Sequence, residues 1–486
     1  MSYDPSQALD DASALKRALA IRRILKPAYA TIGEVSKWIT RQHYLCDQQV
    51  ESLKLRSGFL SLPDEILSVV LEFAAHRTSK DTHKAITRSA SAATRLSHVC
   101  SRFRRLVISS PYLWDRVCPR MHIGSVTSCF ARCGRNAEVH FSTSPYDRKV
   151  LRHFSSIITS NSSLWRRLIV DVTHGGQNLF TEQIEQLDEE TILMRHLSVP
   201  FLTDLQVVYP DRALSTQYSR RSDQDRIHFY STWSFARLSS MYAENLIPLP
   251  FSGSKSLQSL SIDLSLGWYG PDPGVLDVRA LVSFFASCRA LEKLALRISD
   301  CRNSIAFTPN SPVEMVNVAN LDLQFVQCNS DAVGSLMTAI AFPNVSSLKL
   351  VICATVTIDI ETAIDAARRE CQSILHTVFG DSDTFPRLRE LHFIISIDGL
   401  VGHHQIISFP FSYVPALKHL KITTYSTALA LPSETVLLPD LRSLDLTKCF
   451  AIGPHWIAEF IRKLRSQRPV GTTPINISID GRTIAS

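Results

Sequence analysis

Residues 417–422 read LKHLKI and residues 441–446 read LRSLDL, and the spacing leucine-x-x-leucine-x-leucine decides how the second half of the chain folds. Its last two apolar positions are two apart, the period of a strand with one buried face. Upstream the spacing returns at Leu388/Leu391/Phe393, Val345/Leu348/Leu350, Val318/Leu321/Leu323, Leu291/Leu294/Leu296 and Leu257/Leu260/Ile262. These seven recurrences have middle positions 24 to 43 residues apart. A recurrence of this kind marks units that bury a shared core only by stacking on their neighbours. Between the units, helical periodicity at Val278–Ser287, Asp331–Ala341, Ile360–Phe379 and Trp456–Ser466 predicts segments that return the chain to the next strand.

On these motifs residues 251–486 resemble the leucine-rich-repeat family, irregular in length. Cys353 and Cys449, eight residues after their first repeat position, match the cysteine-containing subclass, and Phe450, Ile452 and Ile457 continue its pattern. The resemblance implies parallel strands whose residues beside the leucines face a concave, partner-binding side. Those residues are Asp263, Lys293, Arg297, Asp322, Gln324, Lys349, Glu390, His392, His419, Lys421 and Asp445. Their mixture of signs suits a protein target rather than a uniform polyanion. For any one of them a solvated strand face is the plainer reading; the surface as a whole is the stronger candidate.

Residues 119–250 read as a linker with degenerate early repeats. Short strands are expected at Ala137–Phe141, Leu168–Val172 and Leu202–Val207, with helical or loop segments at Ser144–Ile158 and Thr181–Leu193 and an exposed loop at Ser215–Arg226.

Residues 59–118 have another character. Pro63 suits a first helical turn, and Asp64 and Glu65 oppose the positive end of a helix dipole. Ile66, Leu67, Val70, Leu71 and Ala74 come next, on one stripe of a helix over 64–75. His76–Ala93 is polar and reads as a loop or weak helix. A second helix is expected over Thr94–Ile108, with Leu96, Val99, Cys100, Phe103, Leu106 and Val107 on its apolar face and Arg95, Arg102, Arg104 and Arg105 opposite. Pro111 ends it, and Leu113, Trp114 and Val117 form an apolar anchor beyond.

LPDEIL at 62–67, LSHVCSRFRRLV at 96–107 and SPYLWDRV at 110–117 together resemble the F-box domain, as seen in fungal F-box-like proteins. The gap from His76 to Ala93 is longer than that family's usual link. The resemblance implies docking onto a Skp-type adaptor of a cullin-RING ubiquitin ligase. Leu62, Pro63, Ile66 and Leu67 match the adaptor-facing opening, and Val99, Cys100, Phe103 and Trp114 match the rest of the apolar face. For Phe103 and Val70, internal packing is the better reading. Together the two resemblances imply a substrate-recognition subunit, with a repeat scaffold without a ligase role as the alternative.

The N-terminal 27 residues are expected to form a flexible tail, and 28–58 an amphipathic helix with Ile32, Val35, Ile39, Leu45, Val50 and Leu53 at helical spacing. A short coiled-coil dimer is the lesser alternative there. The fold class expected is α/β: a small all-α unit leading into a solenoid of parallel strands and return helices.

Composition is ordinary for a globular chain, at 45% apolar and 20% charged residues over 486 positions. A formal charge of +7 is mild for this length and is no nucleic-acid signature. The eleven scattered cysteines fit reduced thiols, and the absence of a signal-peptide layout predicts a cytoplasmic or nuclear protein. The sequons at Asn161, Asn344 and Asn476 then read as chance matches.

Neither a phosphate-binding Gly-Lys-Ser/Thr loop nor a Gly-x-Ser-x-Gly elbow occurs. His122, Cys129, Cys133 and His140 have the types of a zinc site but no standard spacing, so no metal is expected. Cys371, beside Arg368, Arg369 and Glu370, is a candidate thiolate outweighed by its place on a return helix, and His403-His404 read as a loop. No cofactor and no catalytic residue are expected.

Overall fold

The computed structural model describes residues 5–75, 82–142, 148–172, 193–209, 228–267, 274–305, 307, 311–356, 361–380, 384–398, 405–432, 438–466 and 475–484. The chain divides into two compact units, Met1–Ala74 and Ala75–Ser486.

The first unit contains α1 (Pro5–Ser61) and most of α2 (Asp64–Ala75). The expected tail is therefore helix from Pro5 onward. Its Ala, Leu, Lys and Arg residues have high intrinsic helix propensity, which needs no packed face. Pro27 lies inside this helix and takes one backbone donor from it. In α2 the single expected stripe splits in two. Leu67, Leu71 and Ala75 are buried, whereas Ile66, Val69, Val70 and Phe73 are exposed.

The second unit begins with α3 (Thr82–Ser97) and α4 (Ser101–Ser109). Of the two readings of the polar gap, loop or weak helix, the helix holds for most of it. It buries Ile86, Ser89, Ala93 and Ser97, a face of mostly small residues that carries little hydrophobic signal. The expected helix over 94–108 breaks at His98–Cys100, because extended Cys100 caps α4 and its Sγ accepts the Phe103 N–H at 3.4 Å.

Then comes one fourteen-stranded sheet whose strands are ordered as in the chain. The strands are β1 (Arg116–Val117), β2 (Ala137–Ser142), β3 (Trp165–Asp171), β4 (Asp204–Val208), β5 (Ser240–Glu244), β6 (Ser259–Ser265) and β7 (Lys293–Ser299). They continue as β8 (Asn320–Val326), β9 (Ser347–Thr355), β10 (Glu390–Asp398), β11 (His419–Thr424), β12 (Ser443–Thr447), β13 (Asn476–Ile479) and β14 (Arg482–Ile484). Among the described residues, every pairing in this sheet is parallel except that of β13 with β14. The protein is a mixed α/β fold with helices at its N-terminus and a parallel sheet through the rest.

Register is set by the leucines. Leu260, Leu294, Leu321, Leu348, Leu391, Leu420 and Leu444 are Cα partners in successive strands, and all are buried. Return helices are α7 (Val278–Ser287), α8 (Ser330–Ala339), α9 (Glu361–Phe379) and α10 (Pro454–Ser466), within a few residues of expectation. Earlier in the unit are α5 (Ile123–Phe130) and α6 (Arg148–Ser160). Of the degenerate region, the three expected strands are β2, β3 and β4. β5 escapes the pattern because Met241 and Ala243 stand where later strands carry leucine, isoleucine or phenylalanine. The helix expected over 181–193, the loop 215–226 and the His403-His404 pair fall almost wholly outside the described residues.

Where leucines are sparse, aromatic rings fill the core. Trp233 packs against Trp165 and Phe229, with ring centroids 5.8 and 5.5 Å away, and its indole N–H is donated to the Met194 carbonyl. Five strands of the sheet, β5, β7, β8, β12 and β13, lead directly into a residue with positive φ: Asn245, Asp300, Gln327, Lys448 and Asp480. This turn lets the N–H of Asn245 reach the Asp263 carbonyl at 2.7 Å and that of Asp300 reach Val326 at 2.8 Å, tying each strand end to the next strand. Asn245 goes further: its Nδ2 donates to the Tyr209 carbonyl at 2.9 Å, and its Oδ1 accepts the Ser265 N–H at 2.8 Å. At the far edge, Asp480 and Gly481 both have positive φ (47° and 77°). They form the two-residue turn that folds β14 back on β13.

Candidate functional site

Two surfaces carry the residues singled out in the sequence. The first is α2. Ahead of the helix Pro63 is exposed and Leu62 half-buried, and the Pro63 carbonyl accepts the Leu67 N–H at 3.0 Å. Phe73 is 80% exposed and Ile66 50%, with Val69 and Val70 between them on the same face. Burying a side chain of this size contributes about 1.5–3 kcal/mol, so four of them in water are a standing cost to the free chain. Leu67 is fully buried and leaves the set of residues a partner can reach. Val69 and Phe73, which lie outside the motif, take its place; their signal is the i, i+3, i+4, i+7 spacing from Ile66.

The matching residues of the second unit divide in the same way. Val99 and Cys100 are exposed at the break between α3 and α4, and Phe103 is half-buried. Trp114, by contrast, is 7% exposed, and its indole N–H is donated to the Val107 carbonyl at 2.7 Å. The Arg132 guanidinium lies 4.8 Å from the Trp114 ring centre. A ring held in this way supports the end of α4.

The second surface is the row of strand residues that alternate with the buried leucines. Cα pairing places Asp322, Lys349, His392, Lys421 and Asp445 side by side on five successive strands. Lys349 Nζ is 2.9 Å from Asp322 Oδ2, and Lys421 Nζ is 3.7 Å from Asp445 Oδ2. Between the lysines, His392 has a pKa lowered by burial and then by both neighbouring cations, which keeps its imidazole neutral. Its Nε2 is 3.4 Å from Thr423 Oγ1. The five-residue row is thus two cations, two anions and one neutral ring. In the adjoining rows Arg297 is 3.6 Å from Asp263, Gln324 donates to Asp322 Oδ1 at 3.1 Å, and His419 Nδ1 is 2.8 Å from Ser443 Oγ. Lys293 and Glu390 are exposed at the strand starts. A shallow depression of about 260 Å³ lies over Ser261, Lys293, Ala295, Asn320, Asp322 and Lys349. It falls below the ~300–1,000 Å³ usual for small-molecule pockets.

A basic edge adjoins this row and carries no leucine to announce it. Arg389, Lys418 and Arg442 each stand directly before a strand, and the register places them beside one another along one edge of the sheet. Its sequence signal is the second position of the repeat motif, which is basic only in the last three units.

Elsewhere the chemistry considered from sequence does not come together. Among the described residues no three His, Cys, Asp or Glu side chains are grouped to hold a metal. His140 pairs with Glu138 at 2.6 Å, while burial pushes the Cys129 thiol up to about 12 and that of Cys133 to about 11. Cys371 of α9 is buried, and burial raises its thiol to about 12, the opposite of activation by the adjacent arginines. No described helix is long and apolar enough to cross a membrane.

The chain matches no family model and no curated protein. Among solved structures it is similar to the crystal structure of the Rad7 and Elc1 complex in yeast, at 12% identity and a TM-score of 0.35. That match covers 90% of this chain and 98% of the other.

Proposed function

We propose that this chain is the substrate-recognition subunit of an SCF-type cullin-RING ubiquitin ligase. In this reading the opening LPDEIL and the exposed face of α2 dock a Skp-type adaptor, and the polar strand row holds a protein target. The observation that carries it is the combination of that motif with Ile66, Val69, Val70 and Phe73, four large apolar side chains left in water on one helix face. Catalysis then belongs to other subunits, and this chain contributes by holding a target lysine near the transfer site.

The test is direct binding of the purified full chain to a purified Skp-type adaptor. Truncating an interface anchor costs on the order of 2 kcal/mol, about thirtyfold in affinity. Ile66→Ala and Phe73→Ala are each expected to weaken binding by that factor, with the helical signal retained. A wild-type chain that fails to bind the adaptor overturns the proposal. Binding that ignores both α2 substitutions and a Leu62/Pro63 double substitution removes this face from it. If the adaptor does not bind but a partner held by the strand row keeps an unchanged lifetime without this chain, a scaffold without a ligase role is the reading that survives.

A further inference from the structure

The long helix α1 also presents an unpartnered face, and its composition says what kind of surface covers it. Every seventh residue from Leu25 is apolar: Leu25, Ile32, Ile39, Cys46 and Leu53. All five are exposed, Ile32 at 66% and Ile39 at 55%. Ile24, Tyr29, Val35, Trp38, Leu45 and Val50 border that line and are exposed as well. A straight helix turns a seven-residue repeat slowly away from any flat surface. Such a line stays in contact only when two helices of the same period coil around each other. The occupant is therefore a helix.

Charge narrows the choice. From Leu25 to Leu53 the Lys, Arg, Asp and Glu residues are Lys26, Glu34, Lys37, Arg41, Asp47 and Glu51, and every one lies on the side away from this line. There Lys37 pairs with Glu34 at 3.0 Å along the helix. The flanking positions that set partner choice in paired helices carry no Lys, Arg, Asp or Glu, so an identical helix meets the face without like-charge repulsion. A strongly charged partner finds nothing complementary there.

The polar exceptions point the same way. Gln42 and Gln49 lie three residues after Ile39 and Cys46, at the second inward position of their heptads. A primary amide both donates and accepts, so in a parallel pair in register each glutamine can satisfy its own counterpart. A wholly apolar partner would strand both amides.

We infer that residues 25–53 of α1 pair with the same segment of a second copy of this chain, parallel and in register. This pairing does not depend on adaptor docking, because it uses none of α2.

The test uses the full chain. Light scattering of reduced protein at micromolar concentration is expected to give twice the 54.4 kDa chain mass. Ile32→Asp and Ile39→Asp should each return it to the single mass, while Arg41→Asp on the opposite side should leave it doubled. Parallel register places Cys46 against its own copy. In a Cys100→Ser background, mild oxidation should therefore yield a covalent dimer that disappears on adding Cys46→Ser, without loss of the doubled mass in reductant. A single mass for the wild-type chain overturns the inference, as does a doubled mass that survives both aspartates. A dimer that does not cross-link through Cys46 overturns the parallel register.

Discussion

Replacing Asn245 by alanine should loosen the sheet at the β5–β6 step by about 3–4 kcal/mol, a sum of lost hydrogen bonds and backbone strain. The residue is 2% exposed, directly after β5, with φ of 53°. Two side-chain bonds are lost, withdrawing a donor from the Tyr209 carbonyl and an acceptor from the Ser265 N–H. A net hydrogen bond contributes about 1 kcal/mol, and loss of a partner in a buried place costs about 1–3 kcal/mol. Alanine also holds the left-handed backbone about 1 kcal/mol less readily than asparagine. Asn245→Gly separates the two effects, since glycine accepts that backbone freely and loses only the bonds; it should cost about 2–3 kcal/mol. Urea unfolding reports the global change. Hydrogen exchange over residues 240–266 reports the local one, with the Ser265 amide losing protection first. If Asn245→Ala exchanges and unfolds like the wild type, the bridging role is refuted. If glycine restores full stability, only the backbone geometry matters and the two bonds do not.

Three further outcomes are expected on the same physical grounds. Trp114→Phe keeps the ring but removes the donor to Val107, and should lower stability by about 1–3 kcal/mol in thermal unfolding while leaving adaptor affinity of the folded fraction unchanged. His228 is buried, and desolvation lowers its pKa to about 4 from an unfolded value near 6.5, so the native state holds the neutral ring. The unfolded chain binds the proton first as pH falls, so the stability held above pH ~6.5 declines toward pH ~4 by up to about 3 kcal/mol. His228→Gln should flatten that part of the stability–pH curve. On the strand row, a double-mutant cycle on Asp322 and Lys349 should return no more than about 1 kcal/mol of coupling, because both groups are partly solvated.

How much of this was legible depended on residue size. Leu260, Leu294 and Leu321 announce their strands because large apolar side chains recur at fixed offsets, and the register of the sheet tracks them residue for residue. Helix α3 was legible only as a loop or weak helix, because Ser89, Ala93 and Ser97 bury small surfaces that look polar or neutral in sequence. The role of Trp114 was hidden for a related reason: a tryptophan near a motif reads as an anchor, and only geometry shows its N–H already committed to Val107. The outward strand residues were legible as positions, since alternation fixes which side chains turn away from the core. Their mutual neutralisation along Asp322, Lys349, Lys421 and Asp445 was not, because it depends on which strands are neighbours. In α2 the sequence showed apolar residues but not that they divide between a buried and an exposed stripe.

The hairpin at Asp480–Gly481 bears on how such a chain changes length over evolutionary time. Each parallel strand pairs only with the units before and after it, so a duplicated unit in the middle can be spliced in by repeating contacts that already exist. Strand β14 runs the other way, so a parallel unit would meet an edge of the wrong polarity there. Growth by tandem duplication is thereby directed into the run of parallel strands and away from this hairpin.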